Sequence, residues 1–157
     1  MAIEIERKFL VSGDFRPYVA SSSRIAQGYL SRERGRTVRL RLRDDKAYIT
    51  IKGPSGLPGI GKYEFEQEIP YEDGRKILTL CDKHVIEKIR HIVPIGRHVC
   101  EVDEFLGANQ GLVVAEIELA HENEPYERPP FLGREVTGQA KYYNAMLSIK
   151  PYREWDK

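Results

Sequence analysis

A chain of 157 residues with 25 Lys and Arg against 24 Asp and Glu carries a formal charge of only +1, although 31% of it is charged. That near-cancellation excludes the cationic excess on which non-specific nucleic-acid binding depends, and a content of 41% apolar and aromatic residues excludes a disordered charged tail. The length predicts one domain over residues 1–157.

No segment approaches the ~20 apolar residues of a membrane-spanning helix, and Met1-Ala2-Ile3-Glu4-Ile5-Glu6-Arg7-Lys8 holds no apolar leader. Cys81 and Cys100 form no CxxC pair, and His84, His91, His98 and His121 show no zinc-ligand spacing. A reducing, cytoplasmic setting is therefore expected, without membrane or nucleic-acid partners.

Most of the chain reads in period two, which predicts eight strands: 3–11, 24–32, 36–44, 46–53, 61–69, 84–94, 98–105 and 112–120. Ser12 can cap a short turn that ends near Pro17, and Gly35, Asp44-Asp45 and Gly96 mark turns between strands. Gly107 opens the longer break before the eighth strand. Residues 53–61 are rich in Gly and Pro but lack GxxxxGK[ST] and precede a strand, so a hairpin connection is expected rather than a phosphate cradle. A helix is predicted over 71–82, with Glu72 and Asp73 in its first turn. Three prolines make 121–131 a loop, and a last helix is predicted from Thr137 to about Ile149, before Pro151.

Successive strand residues point to opposite faces. Val38, Leu40 and Leu42 alternate with Arg39, Arg41 and Arg43; Tyr63, Phe65 and Ile69 alternate with Glu64, Glu66 and Glu68. Lys88 and Arg90, Glu101 and Asp103, and Glu116 and Glu118 form further like-charged pairs. An ordinary solvated face mixes signs, and like charges on one strand repel unless opposite charges lie across from them. The pattern therefore predicts a mainly β, α+β fold: a closed eight-stranded antiparallel barrel with a charged lumen, its apolar outer faces covered by helices.

The expected inward set comprises seven cations (Lys8, Arg39, Arg41, Arg43, Lys52, Lys88, Arg90) and seven anions (Glu4, Glu6, Glu64, Glu66, Asp103, Glu116, Glu118). Enclosing such a set without a ligand is unfavourable unless it is paired. Cations that want a polyanion, beside carboxylates that want a hard divalent metal, point to a metal-bound polyphosphate.

The ordered motifs Glu4-Ile5-Glu6-Arg7-Lys8, Gln27-Gly28-Tyr29-Leu30, Val38-Arg39-Leu40-Arg41, Thr50-Ile51-Lys52-Gly53, Tyr63-Glu64-Phe65-Glu66, Glu87-Lys88-Ile89-Arg90, Val102-Asp103 and Glu116-Ile117-Glu118 resemble the CYTH superfamily, the triphosphate tunnel metalloenzymes, and most of all its short bacterial inorganic triphosphatases. The resemblance implies an eight-stranded tunnel acting on triphosphates with Mg2+ or Mn2+. It implies metal-binding roles for Glu4, Glu6, Glu116 and Glu118, with Asp103 at a less specific position. It implies phosphate-clamp roles for Lys8, Arg39, Arg41, Lys52, Lys88 and Arg90, with Tyr29 at a less specific position. Arg43 is read either as a further clamp or as a solvated charge. Glu64 and Glu66 are candidates to orient the attacking water, or else partners of neighbouring clamps.

The expected reaction is metal-dependent hydrolysis of inorganic triphosphate to pyrophosphate and phosphate. Thiamine triphosphatase, nucleoside triphosphatase and class IV adenylate cyclase activities are alternatives within the same fold, and a non-catalytic polyphosphate- or nucleotide-binding module is a third reading. The resemblance implies a His-Phe segment ahead of the Glu motif in class IV cyclases, and Met1-Ala2-Ile3 ahead of Glu4 do not match it, which counts against a cyclase. The sequence leaves the oligomeric state, a homodimer included, open.

Overall fold

The structure, a computed structural model, describes residues 5–33, 35–54 and 62–155. Glu4 and residues 55–61 of the glycine-rich connection lie outside the described residues. All eight expected strands are present: β1 (Ile5–Val11), β2 (Ser21–Ser31), β3 (Thr37–Arg43), β4 (Lys46–Pro54), β5 (Lys62–Ile69), β6 (Asp82–Ile95), β7 (His98–Phe105) and β8 (Val113–Leu119). A ninth, β9 (Leu132–Glu135), was not expected. The helices are α1 (Tyr71–Leu78) and the single turn α2 (Asn144–Leu147).

The strands form one antiparallel sheet in the order β5-β4-β3-β2-β6-β7-β8-β1-β9. Among the described residues the sheet has nine strands and does not close, so the expected closed eight-stranded barrel is not what they form. Closure would require β1 to pair with β5, but β9 occupies that edge of β1, with Phe9 opposite Glu135 and Val11 opposite Leu132. Arg7 donates from Nε and Nη2 to the Glu135 carboxylate at 2.6 and 2.7 Å, which fastens the added strand and accounts for the charge interrupting the apolar face of β1.

The sheet is curled rather than flat. Strands sit ~4.8 Å apart, so β1 and β6, three steps from each other, would lie ~14 Å apart in a flat sheet. Yet Lys8 of β1 and Lys88 of β6 reach Tyr142 O and Asn144 Oδ1, two residues apart in one segment.

The convex face is apolar. Phe9, Val93, Cys100, Val102, Ala115, Ile117 and Leu119 pack there with Leu132 of β9, beneath Phe15 and Phe131, so loop segments rather than a helix cover this half. Burial pushes the Cys100 thiol up to about 12. At the other end α1 lies on β3 and β4. Glu72 and Asp73 in its first turn and Arg75 and Lys76 in its last match the helix dipole. Its Gly74 permits the contact, since a Cβ there would lie 2.4 Å from Ala47 Cβ and 3.1 Å from Leu42 Cδ2. Gly74→Ala should therefore lower stability by about 1–3 kcal/mol through overpacking, measured by denaturant unfolding.

The expected final helix breaks into a turn at Ala140–Tyr142, an extended Tyr143 and α2. It does not cover the convex face either. Val136, Tyr142 and Leu147 pack with Ile86, Phe105, Val114 and Leu10, whose positions share the parity of the charged residues on β6, β7, β8 and β1. The C-terminal segment thus fills one end of the concave face.

Candidate active site

The expected inward residues from Glu6 to Glu118 all fall on the concave face, where the register sets opposite signs across from each other at three places and acids across from acids at Glu6–Glu118 and Glu101–Glu116. Lys8 is paired with Glu116, Lys52 with Glu64 and Arg90 with Asp103. Cross-strand neighbours of opposite sign offset the repulsion within each strand.

Lys88 is wholly buried, and Asp103 nearly so. Lys88 Nζ donates to Asp103 Oδ2 at 2.8 Å and to Asn144 Oδ1 at 3.1 Å. Arg90 donates from Nε and Nη2 to the two oxygens of the same carboxylate at 2.8 and 2.9 Å, and Nη1 lies 3.5 Å from Glu101. Burial would push Asp103 up, but Lys88 and Arg90 together hold it far below the usual carboxylate range. Burial also opposes the charge on Arg90, and its Asp103 bonds more than compensate. For Lys88 burial wins, and its ammonium is lowered from 10.5 to about 8. Asp103 is therefore a charge partner of two cations, and it does not line the acidic cavity described below.

Along β3, Arg41 donates from Nε to Gln27 Oε1 at 2.9 Å. Burial, then the neighbouring Arg39 and Arg90, lower it to about 9. The charge of Asp103 is also felt at Arg41, three strands away, as the curl requires. Arg39 Nη2 donates to Thr50 Oγ1 at 3.2 Å, and Thr50 Oγ1 donates to Glu66 at 3.1 Å. Tyr29 is buried, and burial raises its phenol despite the charges of Arg39 and Arg41. Lys52 Nζ lies 3.8 Å from Glu64. Arg43 is exposed, over the ring of Tyr48 at 5.7 Å.

On the other flank, Lys8 Nζ lies 3.3 Å from Glu116, 3.5 Å from Tyr142 O and 5.1 Å from the centre of the Tyr143 ring. Glu6, Glu101, Glu116 and Glu118 line a cavity of about 430 Å³ together with Arg97 and His98. Burial opposes ionisation of Glu116, but a hydrogen bond with Glu6 and the charge of Lys8 hold it below its ordinary value. Burial, reinforced by Asp103 and Glu116, raises Glu101 despite Arg90.

The cavity's oxygen donors suit a hard divalent cation, and two carboxylates within hydrogen-bonding reach form a pair whose repulsion such a cation relieves. Among the described residues no three acid, histidine or cysteine side chains converge on one point.

Glu101, Gln27, Thr50 and Asn144 belong to this network although the charge pattern did not single them out as site residues. Gln27 and Thr50 share the parity of charged neighbours, a signal in the strand pattern. Asn144 had none, because its place depends on where the C-terminal segment lands.

The sequence model described as CYTH domain matches residues 2–148. An inorganic triphosphatase of Acetivibrio thermocellus is 46% identical over 156 residues, covering 99% of each chain. An inorganic triphosphatase of Nitrosomonas europaea is 30% identical over 152 residues, covering 93% of this chain and 97% of its own. The crystal structure of the inorganic triphosphatase NE1496 superposes with a TM-score of 0.72 at 27% identity, over 95% of this chain and 96% of that one.

Proposed function

Because this chain belongs to the CYTH domain family, we propose that it is an inorganic triphosphatase, splitting triphosphate into pyrophosphate and phosphate with the aid of Mg2+ or Mn2+. One observation carries the reading: Lys8, Arg39, Arg41, Lys52, Lys88 and Arg90 share one concave face that runs into a cavity lined by four carboxylates.

In this reading the guanidinium groups of Arg39 and Arg41 bind phosphate oxygens through paired donors, Arg90 contributes its charge and the N–H groups that Asp103 leaves it, and Lys8, Lys52 and Lys88 act as point charges. Opposite charges at ~4 Å are worth about 4 kcal/mol each at an effective dielectric near 20. Glu6 and Glu116 would hold the cation, with Glu118 and Glu101 lining the same cavity and Glu4 outside the described residues. When bound, it supplies neutralisation of the charge that grows on the phosphoryl oxygens. Water attacks the terminal phosphorus, the phosphoanhydride P–O bond breaks, and its electron pair leaves on pyrophosphate. Glu66, held by Thr50, or Glu64, beside Lys52, accepts the proton.

The filling of one end of the face by Tyr142, Tyr143 and Leu147 supports a substrate without a bulky organic group. The buried thiol of Cys100 supports a reducing cytoplasmic setting. No helix among the described residues is long and apolar enough to cross a membrane.

The test is a panel of tripolyphosphate, ATP, thiamine triphosphate and long polyphosphate, each with Mg2+, Mn2+ or neither. Fastest turnover of tripolyphosphate, dependent on metal, is expected. Cyclic product from ATP, or tight binding without turnover, would overturn the reading.

Lys88 adds a pH prediction. Tripolyphosphate affinity in metal-free buffer should fall as pH rises through about 8, where this clamp loses its proton, as followed by calorimetry. Stability runs the other way. Between about 8 and the ordinary value of 10.5 the unfolded chain holds the extra proton, so this group adds stability as pH rises through that window.

A further inference from the structure

Gln27 lies on the concave face between Arg41 of β3 and Ile86 of β6, with its side chain wholly buried. Its amide orientation follows from chemistry. Arg41 Nε can only donate, so the atom 2.9 Å from it is Gln27 Oε1, and Nε2 points away. Gln27 Nε2 is buried and has no acceptor among the described residues. The same holds for Arg39 Nε, two residues from Arg41 on β3.

A buried donor without an acceptor is costly, and native structures keep few of them. Here the surroundings explain why the protein supplies no acceptor. Arg41 lies beside Arg39 and Arg90 and feels both charges. The partner suited to that spot is an anionic oxygen brought in from outside.

We propose that Gln27 is a substrate-binding residue: Nε2 donates to a phosphate oxygen of the triphosphate, while Oε1 holds Arg41 in line with the same anion. The inference rests on the triphosphatase reading and adds a neutral donor to its cationic clamp. A neutral amide can bind a phosphate oxygen without adding to the repulsion among the buried guanidinium groups.

Two roles are separable by one substitution. Gln27→Glu keeps an acceptor for Arg41 Nε but replaces the N–H donor with a second acceptor, negatively charged. If Gln27 only steadied Arg41, this variant keeps that support and loses affinity only through its added charge, so it binds no worse than Gln27→Met. If it donates to phosphate, this variant is the worst of the series. The experiment measures tripolyphosphate Kd by calorimetry in metal-free buffer and KM and kcat with metal, for wild type, Gln27→Glu and Gln27→Met, with a melting curve for each. Loss of a hydrogen bond to a charged group predicts about tenfold weaker binding for Gln27→Met, and about 100-fold for Gln27→Glu, expressed mainly in KM. Gln27→Glu binding no worse than Gln27→Met would overturn the proposal. If that variant does not fold, Gln27→Met decides, and unchanged affinity would overturn it. Failure of the wild type to bind tripolyphosphate would instead overturn the triphosphatase reading itself.

Discussion

Glu116→Gln should lower kcat for tripolyphosphate by about 100-fold or more and raise the metal concentration needed for half-maximal rate, because changes even beside a metal site cost 10–100-fold. Glu116 stands where the two halves of the site meet. One side faces Lys8 Nζ at 3.3 Å, and the other is hydrogen-bonded to Glu6. It keeps its charge despite burial because of those two neighbours. The amide has nearly the same shape, so packing is retained while the charge is lost. The measurement is steady-state phosphate release across a Mg2+ titration, with Glu118→Gln as a companion that also lines the cavity. Near-normal rates in both variants at saturating metal would remove the carboxylates from the metal-binding role.

The second large effect concerns stability. Asp103→Asn should lower the melting temperature by roughly 10 °C, from a loss of about 3–5 kcal/mol, and should also abolish most turnover. Asp103 gives both oxygens to Lys88 and Arg90 inside a nearly solvent-free cluster. With its charge removed, two buried cations face each other with only Glu101, 3.5 Å from Arg90, to offset them. Lys88, already lowered to about 8, loses its main support and sheds its proton more readily. One change thus damages the fold and discharges a clamp. A thermal melt and an assay below the neutral range separate the two, since acid restores the Lys88 proton but not the lost ion pair. A variant as stable as the wild type would show that the cluster is not held by Asp103.

Much of the concave face was legible before any coordinates. Arg39 and Arg41, Glu64 and Glu66, and Lys88 and Arg90 could be placed on a common face from spacing alone, because alternation is a property of each strand by itself. The Asp44 turn was legible for a similar reason. Asp44 adopts a φ of 53°, tolerated by aspartate, and its carboxylate accepts from Arg24 N. The separate jobs of the acids were not legible. Asp103 and Glu116 look alike in sequence, yet one is enclosed by Lys88 and Arg90 and the other borders the open cavity.

The C-terminal region shows the same divide. Ala140, Tyr143, Met146 and Leu147 are spaced for a helix, but Tyr143 turns extended where its ring meets Lys8. Strand β9 is four residues long and contains Gly133, too short for a periodic signal, and it exists through a contact between Arg7 and Glu135 that spans 128 positions. By itself, then, the sequence determined eight of the nine strands, which face of each is charged and with what sign, since these depend on residues two apart. Only the tertiary structure decided that the sheet stays open at β9, that its last segment fills the charged face, and that Gln27 is left with a donor to offer. Each of those outcomes depends on partners far away in the chain, where local periodicity carries no information.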